Sequence, residues 1–325
     1  MITSPLNAEH DFTKGMHVVL TGSASALPDP FRGGASAAVT IDGTVLQFDC
    51  GRMVLENLMR CGINPVEIDE LYLTHLHFDH IASFGYFMIA SWIASRQEDL
   101  PVTGPAGTVR MANDLVFKGH YADVEFGRGL VSTWRADVPG RPRDEPPFTA
   151  RDVEPGLVTE TDKYRITSVE VPHFQQFGMR SLAYRVDCDH GSVVVTGDCR
   201  PCPEVPELAK GADVLIQECA KPDGDMFTTG KFSRSSSLED AQKEHTHPHS
   251  TPSWIGEVAR KAGVKTVVAT HVAPFGAPPA SRAMSKVYYG EEEAPEDIFD
   301  RYASRIAETF DGNVHVAHDG LILKV

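Results

Sequence analysis

Apolar residues in this chain fall into short runs, most of them closed by glycine, proline or a polar turn. Met16–Leu20 predicts a strand. Ala37–Ile41 and Thr44–Phe48 predict a hairpin turning at Asp42-Gly43, a dipeptide suited to a tight turn. Asp49-Cys50-Gly51 follows, then a helix over Met53–Cys61 ended by Gly62. Glu70–Leu73 reads as a strand and about His80 to Ser95 as a mostly apolar helix, with a strand-turn-helix pattern between Val102 and Phe117. The second half predicts strands at Tyr164–Val171, Ser181–Val186, Ser192–Thr196, Val214–Glu218 and Thr266–Thr270. Its helices fall at Glu204–Lys210, Pro252–Ala262 and Pro295–Thr309, and His315–His318 and Leu321–Val325 read as closing strands.

Gly119 to Glu160 is broken by Pro139, Pro142, Pro146, Pro147 and Pro155, and Lys221–Ser250 is polar with little periodicity. Both segments (119–160 and 221–250) read as loop excursions over a site within one domain spanning 1–325. Two successive sets of strands, each followed by helices, predict an α/β fold: two mixed sheets face to face with helices outside.

Composition narrows this only a little. The chain has 325 residues, 42% hydrophobic, enough to bury a core without disulfides. No apolar run is long enough to cross a bilayer, and the first residues lack the apolar stretch of a secretory signal, so a soluble, cytoplasmic protein is expected. The formal net charge of −15 speaks against a polyanionic partner, because nucleic-acid binding rests mainly on Lys and Arg facing phosphates. Of the six cysteines, Cys199 and Cys202 form a CxxC, read here as two small residues packed near the site; a structural zinc knuckle needs a second pair.

The chemistry is concentrated in Thr74-His75-Leu76-His77-Phe78-Asp79-His80. Three imidazoles and a carboxylate leaving an apolar strand suit zinc, manganese or iron rather than calcium. Three further donors follow apolar strands in the same way: His173 after Val-Glu-Val-Pro, Asp198 after Val-Val-Val-Thr-Gly, and His271 after Thr-Val-Val-Ala-Thr.

These blocks, in this order, together with the strand-turn ending at Asp49-Cys50-Gly51, resemble the metallo-β-lactamase superfamily from about residue 16 to the end. The resemblance implies the four-layer αβ/βα sandwich of that fold. Leu215-Ile216-Gln217-Glu218-Cys219 and His249-Ser250-Thr251 resemble its tRNase Z and arylsulfatase-like branch. By resemblance, His75, His77 and His173 hold one metal, Asp79, His80 and His271 the other, and Asp198 bridges them. Two divalent ions, zinc first with manganese or iron as alternatives, are implied. His249 and Glu218 take positions associated with proton transfer, and Asp49 one that orients ligand histidines. With Asp79, His249 and Glu218 form the expected catalytic group. Met88, Trp92, Trp134, Phe174 and Phe177 lie in segments near the presumed mouth, Trp134 as a lid.

Two departures bear on the substrate. Ser83 stands where the family commonly has glycine. The long tRNA-gripping arm of tRNase Z relatives is replaced by Asp187-Cys188-Asp189-His190-Gly191. With the negative charge, this leads to an expected small-molecule substrate: a phosphodiester first, then a carboxylic ester, lactone or aryl sulfate. Ribonuclease or iron-oxygenase action ranks lower, nucleic acid is not expected as a partner, and a homodimer is consistent with relatives in the branch.

Overall fold

The computed structural model describes residues 10–27, 29–134, 140–223, 249–272 and 296–325. Its first sheet holds β1 (Met16–Gly22), β2 (Ser36–Ile41), β3 (Thr44–Phe48), β4 (Glu70–Tyr72), β5 (Leu100–Gly104) and β6 (Phe148–Asp152). The second holds β7 (Gly156–Glu160), β8 (Tyr164–Val171), β9 (Ser181–Cys188), β10 (Gly191–Val195), β11 (Val214–Glu218), β12 (Thr266–Thr270) and β13 (Asn313–Val316). The last strand, β14 (Ile322–Lys324), crosses back to the first sheet. The two seven-stranded orders are β14-β1-β2-β3-β4-β5-β6 and β13-β12-β11-β10-β9-β8-β7. Each sheet is mixed: β3 to β6 and β10 to β13 run parallel, and the remaining pairs are antiparallel.

Alternation along the strands explains the layering. On β1, Met16, Val18 and Leu20 face Tyr184, Val195 and Ile216 of the opposite sheet in one shared apolar layer, whereas Val19 points the other way. The outer face of the first sheet is covered by α1 (Val54–Arg60), α2 (Phe78–Ile81), α3 (Phe84–Ile93), α4 (Thr108–Asn113) and α5 (Tyr121–Thr133). The outer face of the second packs against α6 (Glu204–Leu208), α7 (Pro252–Ala262) and α8 (Ile298–Ala307). The α/β sandwich expected from the sequence is therefore the fold.

Two local readings change. The helix expected from about His80 to Ser95 is two helices, broken at Ala82-Ser83 so that the donor turn can leave the sheet. Residues 119–160 are not an open excursion: they contain α5, β6 and β7. In α5 the buried face is Val124, Gly127 and Val131, and a Cβ on Gly127 would lie 2.3 Å from the Trp92 ring. Gly127 is thus a close-packing point between α5 and α3. Of the second expected excursion, residues 224–248 lie outside those described.

Candidate metal centre

Parallel pairing brings the ends of several strands level at one edge of the sandwich, Glu218 of β11 standing directly opposite Thr270 of β12. The donor residues leave from these ends: the His75–His80 turn after β4, His173 after β8, Asp198 after β10 and His271 after β12. Carboxyl ends of strands in α/β sheets are where a chain can turn several side chains toward one point without disturbing the ladder.

The side chains form two donor groups that share one carboxylate. His75, His77, His173 and Asp198 offer atoms within 4.8 Å of one another, as do Asp79, His80, Asp198 and His271. In the first group, the Nε2 atoms of His75 and His173 lie 2.9 and 3.1 Å from His77 Nδ1. In the second, His271 Nε2 lies 3.0 Å from Asp79 Oδ2 and 3.5 Å from Asp198 Oδ1. His80 Nε2 is 3.3 Å from Asp198 Oδ1, yet neither buried atom makes a well-aligned hydrogen bond. Converging imidazole lone pairs and buried polar atoms without partners are costly in a folded interior unless a cation occupies the space. The donor set fits a dinuclear site for N/O-binding divalent metals, with Asp198 common to both donor groups.

Electrostatics at His75, His77 and Asp198 agree with that role. Burial drives the His75 imidazole well below its ordinary range, helped by the neighbouring His80, His173 and His77. Burial and His173 bring His77 down to about 4. Both are therefore neutral, the form that binds a metal. For Asp198, burial opposes ionisation, but His271 and His80 outweigh it and hold the carboxyl well below the usual carboxylate range.

A second layer of contacts fixes the donors. Asp49, at the end of β3, accepts from Thr74 N at 2.7 Å and Thr74 Oγ at 2.8 Å, and its Oδ2 lies 2.8 Å from His80 Nδ1. Two backbone positions before and among the donors are left-handed, Gly197 at φ 57° and His271 at φ 59°. At Gly197 no other residue fits, since a Cβ would lie 2.4 Å from Thr74 Cβ.

Beside this centre stands His249. Its Nδ1 is 3.4 Å from Glu218 Oε2 and 3.7 Å from Asp198 Oδ2. Burial lowers the His249 pKa, but Glu218 and Asp198 overcome this and raise it to about 9. Glu218 is held in turn by Ser250 N at 2.7 Å and Ala220 N at 2.9 Å. Asp198, Glu218, His249 and His271 thus form a third close group. The structure brings every sequence-expected donor together, with His249 partly exposed beside them and Glu218 buried behind it. Thr74 and Ser250 are the contributors that sequence reasoning did not assign: both lie inside the recognised motifs, Ser250 donating to Glu218 from its backbone and Thr74 to Asp49 from both its backbone and its hydroxyl.

Of the expected pocket walls, Met88 and Trp92 are buried core. Phe174 lies against the donors, its ring centroid 4.7 Å from that of His173, and Trp134 and Phe177 are exposed. Cys199 and Cys202 are free, buried and part of the second sheet's outer core, the packing role expected of them.

Residues 46–272 match the family described as Beta-lactamase superfamily domain. The chain is 32% identical over 262 residues to a Ribonuclease Z of Mycobacterium marinum, covering 80% of this chain and 87% of that one. The chain belongs to the tRNase Z branch of the β-lactamase superfamily. Solved structures of the same fold include the metallo-β-lactamase fold protein YhfI of Bacillus subtilis (TM-score 0.64, 20% identity, 95% of this chain and 99% of that one). The short form of human tRNase Z is another (TM-score 0.62, 18% identity, 95% and 99%).

Membership of the tRNase Z branch overturns one expectation. A small ester substrate, with RNA cleavage ranked lower and nucleic acid not expected as a partner, does not stand beside a mycobacterial relative named for RNA cleavage. Net charge misled because it sums over the whole chain and locates no charge. The missing arm is real: β9 and β10 pair from Cys188 to Gly191 across a tight turn. That turn, however, carries none of the donor residues. Among the described residues, no helix is long and apolar enough to cross a membrane.

Proposed function

We propose that this chain hydrolyses phosphodiester bonds of RNA, in the manner of its Ribonuclease Z relative, at a dinuclear centre loaded with zinc. The observation that carries the reading is the pair of four-donor groups sharing Asp198, with His249 set 3.7 Å from that carboxylate. Two divalent cations held there supply a water activated near neutral pH and offset the negative charge that builds on a phosphoryl oxygen.

The chain's own residues do the rest. His75, His77 and His173 present neutral nitrogens from one side, and Asp79, His80 and His271 complete the other. Asp49 fixes the His80 ring through Nδ1 and so directs Nε2 inward. His249 stands at the open rim with its Nδ1 turned to Glu218. This leaves Nε2 to carry a proton to the departing oxygen, the role of a general acid. Glu218, held by the backbone N–H groups of Ser250, Ala220 and Cys199, fixes the ring's orientation and stabilises its charged form.

The test is metal content per chain, with cleavage of a structured RNA bearing a 3′ extension followed on a gel. Close to two zinc ions and a single cut, lost in Asp198→Ala and reduced by roughly 100-fold or more in kcat in His249→Ala, support the reading. Two ions without RNA cleavage sink it.

A further inference from the structure

Three phenylalanines in segments that touch or carry the donor groups are turned to solvent: Phe31, 76% exposed, Phe78, 68%, and Phe177, 74%. Exposed apolar side chains scattered singly call for no explanation. These are not scattered. Phe78 sits between the donors His77 and Asp79 as the first residue of α2. Phe177 follows His173 by one short turn and packs at 6.1 Å against Phe174, whose ring lies 4.7 Å from His173 and 5.7 Å from His77.

Phe31 belongs to a loop tied to the other donor group. Ala24 bridges Val272, the neighbour of His271, and a Cβ on Gly34 would lie 2.9 Å from the Asp79 backbone oxygen. The loop is rigidly fastened. Asp29 Oδ1 accepts from the N–H groups of Phe31 at 2.8 Å and Arg32 at 3.0 Å. Arg52 donates to the carbonyls of Asp29 and Arg32 at 2.6 and 2.5 Å. A loop held this firmly that leaves its aromatic ring outside presents that ring.

The cations in the same segments are engaged elsewhere. Arg32 pairs with Asp29, Arg52 holds backbone carbonyls, and Arg180 pairs with Glu154 and Glu170. The mouth, among the described residues, therefore offers aromatic faces where a phosphate-tracking protein would offer free arginines.

We propose that Phe31, Phe78 and Phe177 form a base-stacking rim for unpaired nucleotides on either side of the scissile phosphodiester. The inference rests on the RNA reading above. Stacking suits a strongly acidic chain, because a base presents a neutral π-face whatever its sequence. Phe78 and Phe31 would take nucleotides on the Asp79/His271 side, and Phe177 those on the His173 side.

The test uses the full-length, zinc-loaded protein and a single-stranded oligoribonucleotide with 2-aminopurine beside the cleaved bond. Phe31→Leu, Phe78→Leu and Phe177→Leu are each expected to raise KM about 5- to 100-fold, the range of one lost stacked base. The loss falls on KM rather than kcat, metal content stays at the wild-type level, and the 2-aminopurine quench on binding is relieved. Trp at the same positions restores both KM and quench. Affinity is expected to fall only shallowly with salt. Leucine variants that cut RNA with wild-type KM, or a steep salt dependence typical of many phosphate contacts, overturn the rim and leave the RNA reading standing. A wild-type protein that neither binds nor cuts any RNA overturns both.

Discussion

Asp49 touches no candidate metal position directly, yet it holds three groups that fix the donor turn: Thr74 N, Thr74 Oγ and His80 Nδ1. Replacing it by Ala leaves the His80 ring free to rotate and its Nδ1 without an acceptor. Asp49→Ala is expected to weaken metal retention or activity by roughly 10- to 100-fold, as loss of a partner behind a ligating histidine commonly does. The check is metal retention during stepwise chelator titration, beside wild type. Residues of this kind were legible in the sequence where a short polar motif closes an apolar strand, as in Val-Val-Val-Thr-Gly before Asp198. Such a strand can only deliver its last side chain to the sheet edge. The exposed phenylalanines were less legible. Phe31 was not singled out, because nothing in a local window shows that Ala24 bridges Val272 and Arg32 donates to the Val272 carbonyl, which ties this loop beside His271, more than two hundred residues further along the chain.

At the scale of elements, α7 has a job beyond covering the second sheet. Thr251 caps it by accepting from Trp254 N, Pro252 opens it, and the two residues before the cap are Ser250 and His249. The helix start therefore sets where His249 stands. Thr251→Ala is expected to cost about 1 kcal/mol of stability. It is also expected to lower kcat on RNA while metal content is unchanged, measured by urea titration and steady-state kinetics. This helix was readable in advance from proline after Thr and a strong apolar stripe, whereas α5 was not. Its Gly127 and Gly129 look like breakers until Trp92 is seen to fill the space against Gly127. A sequence window contains one partner of such a contact and not the other.

On β1, burial depresses the pKa of His17, and Lys324 on the adjacent strand acts in the same direction. The folded pKa lies below the unfolded value of about 6.5, so the neutral ring stabilises the fold above that pH. Stability is lost as pH falls below 6.5 toward the folded pKa. His17→Gln is expected to flatten this part of the profile, by at most about 1.4 kcal/mol per pH unit. Urea midpoints for both proteins at pH 7.5 and 5.5 provide the measurement.

For the whole molecule, the donors come from both halves of the sandwich. His75, His77, Asp79 and His80 follow the first sheet, and His173, Asp198 and His271 follow the second. Cations held by both donor groups would clasp the two sheets together at one edge. Removing them with a chelator is expected to lower the melting temperature, and restoring zinc should recover it. The size of the effect follows RT ln(1 + [metal]/Kd). A melting curve indifferent to chelation would contradict a clasp between sheets. The substrate class was the least legible property at this scale, since composition gives the net charge but not the partners that neutralise each arginine.

The return of β14 to the edge of β1 has a consequence for how the molecule is made. Val18 pairs with Leu323, so the first sheet is bordered on that side by a strand synthesised about 300 residues later. At ribosomal speeds of about 5–20 residues per second, β1 waits roughly 15–60 s with an unpaired backbone edge. Such an edge is an open template for pairing with another nascent chain. Once residues 75–80 have been made, the half that carries them is present without its border, and the burden of keeping it apart from its neighbours falls on the cell.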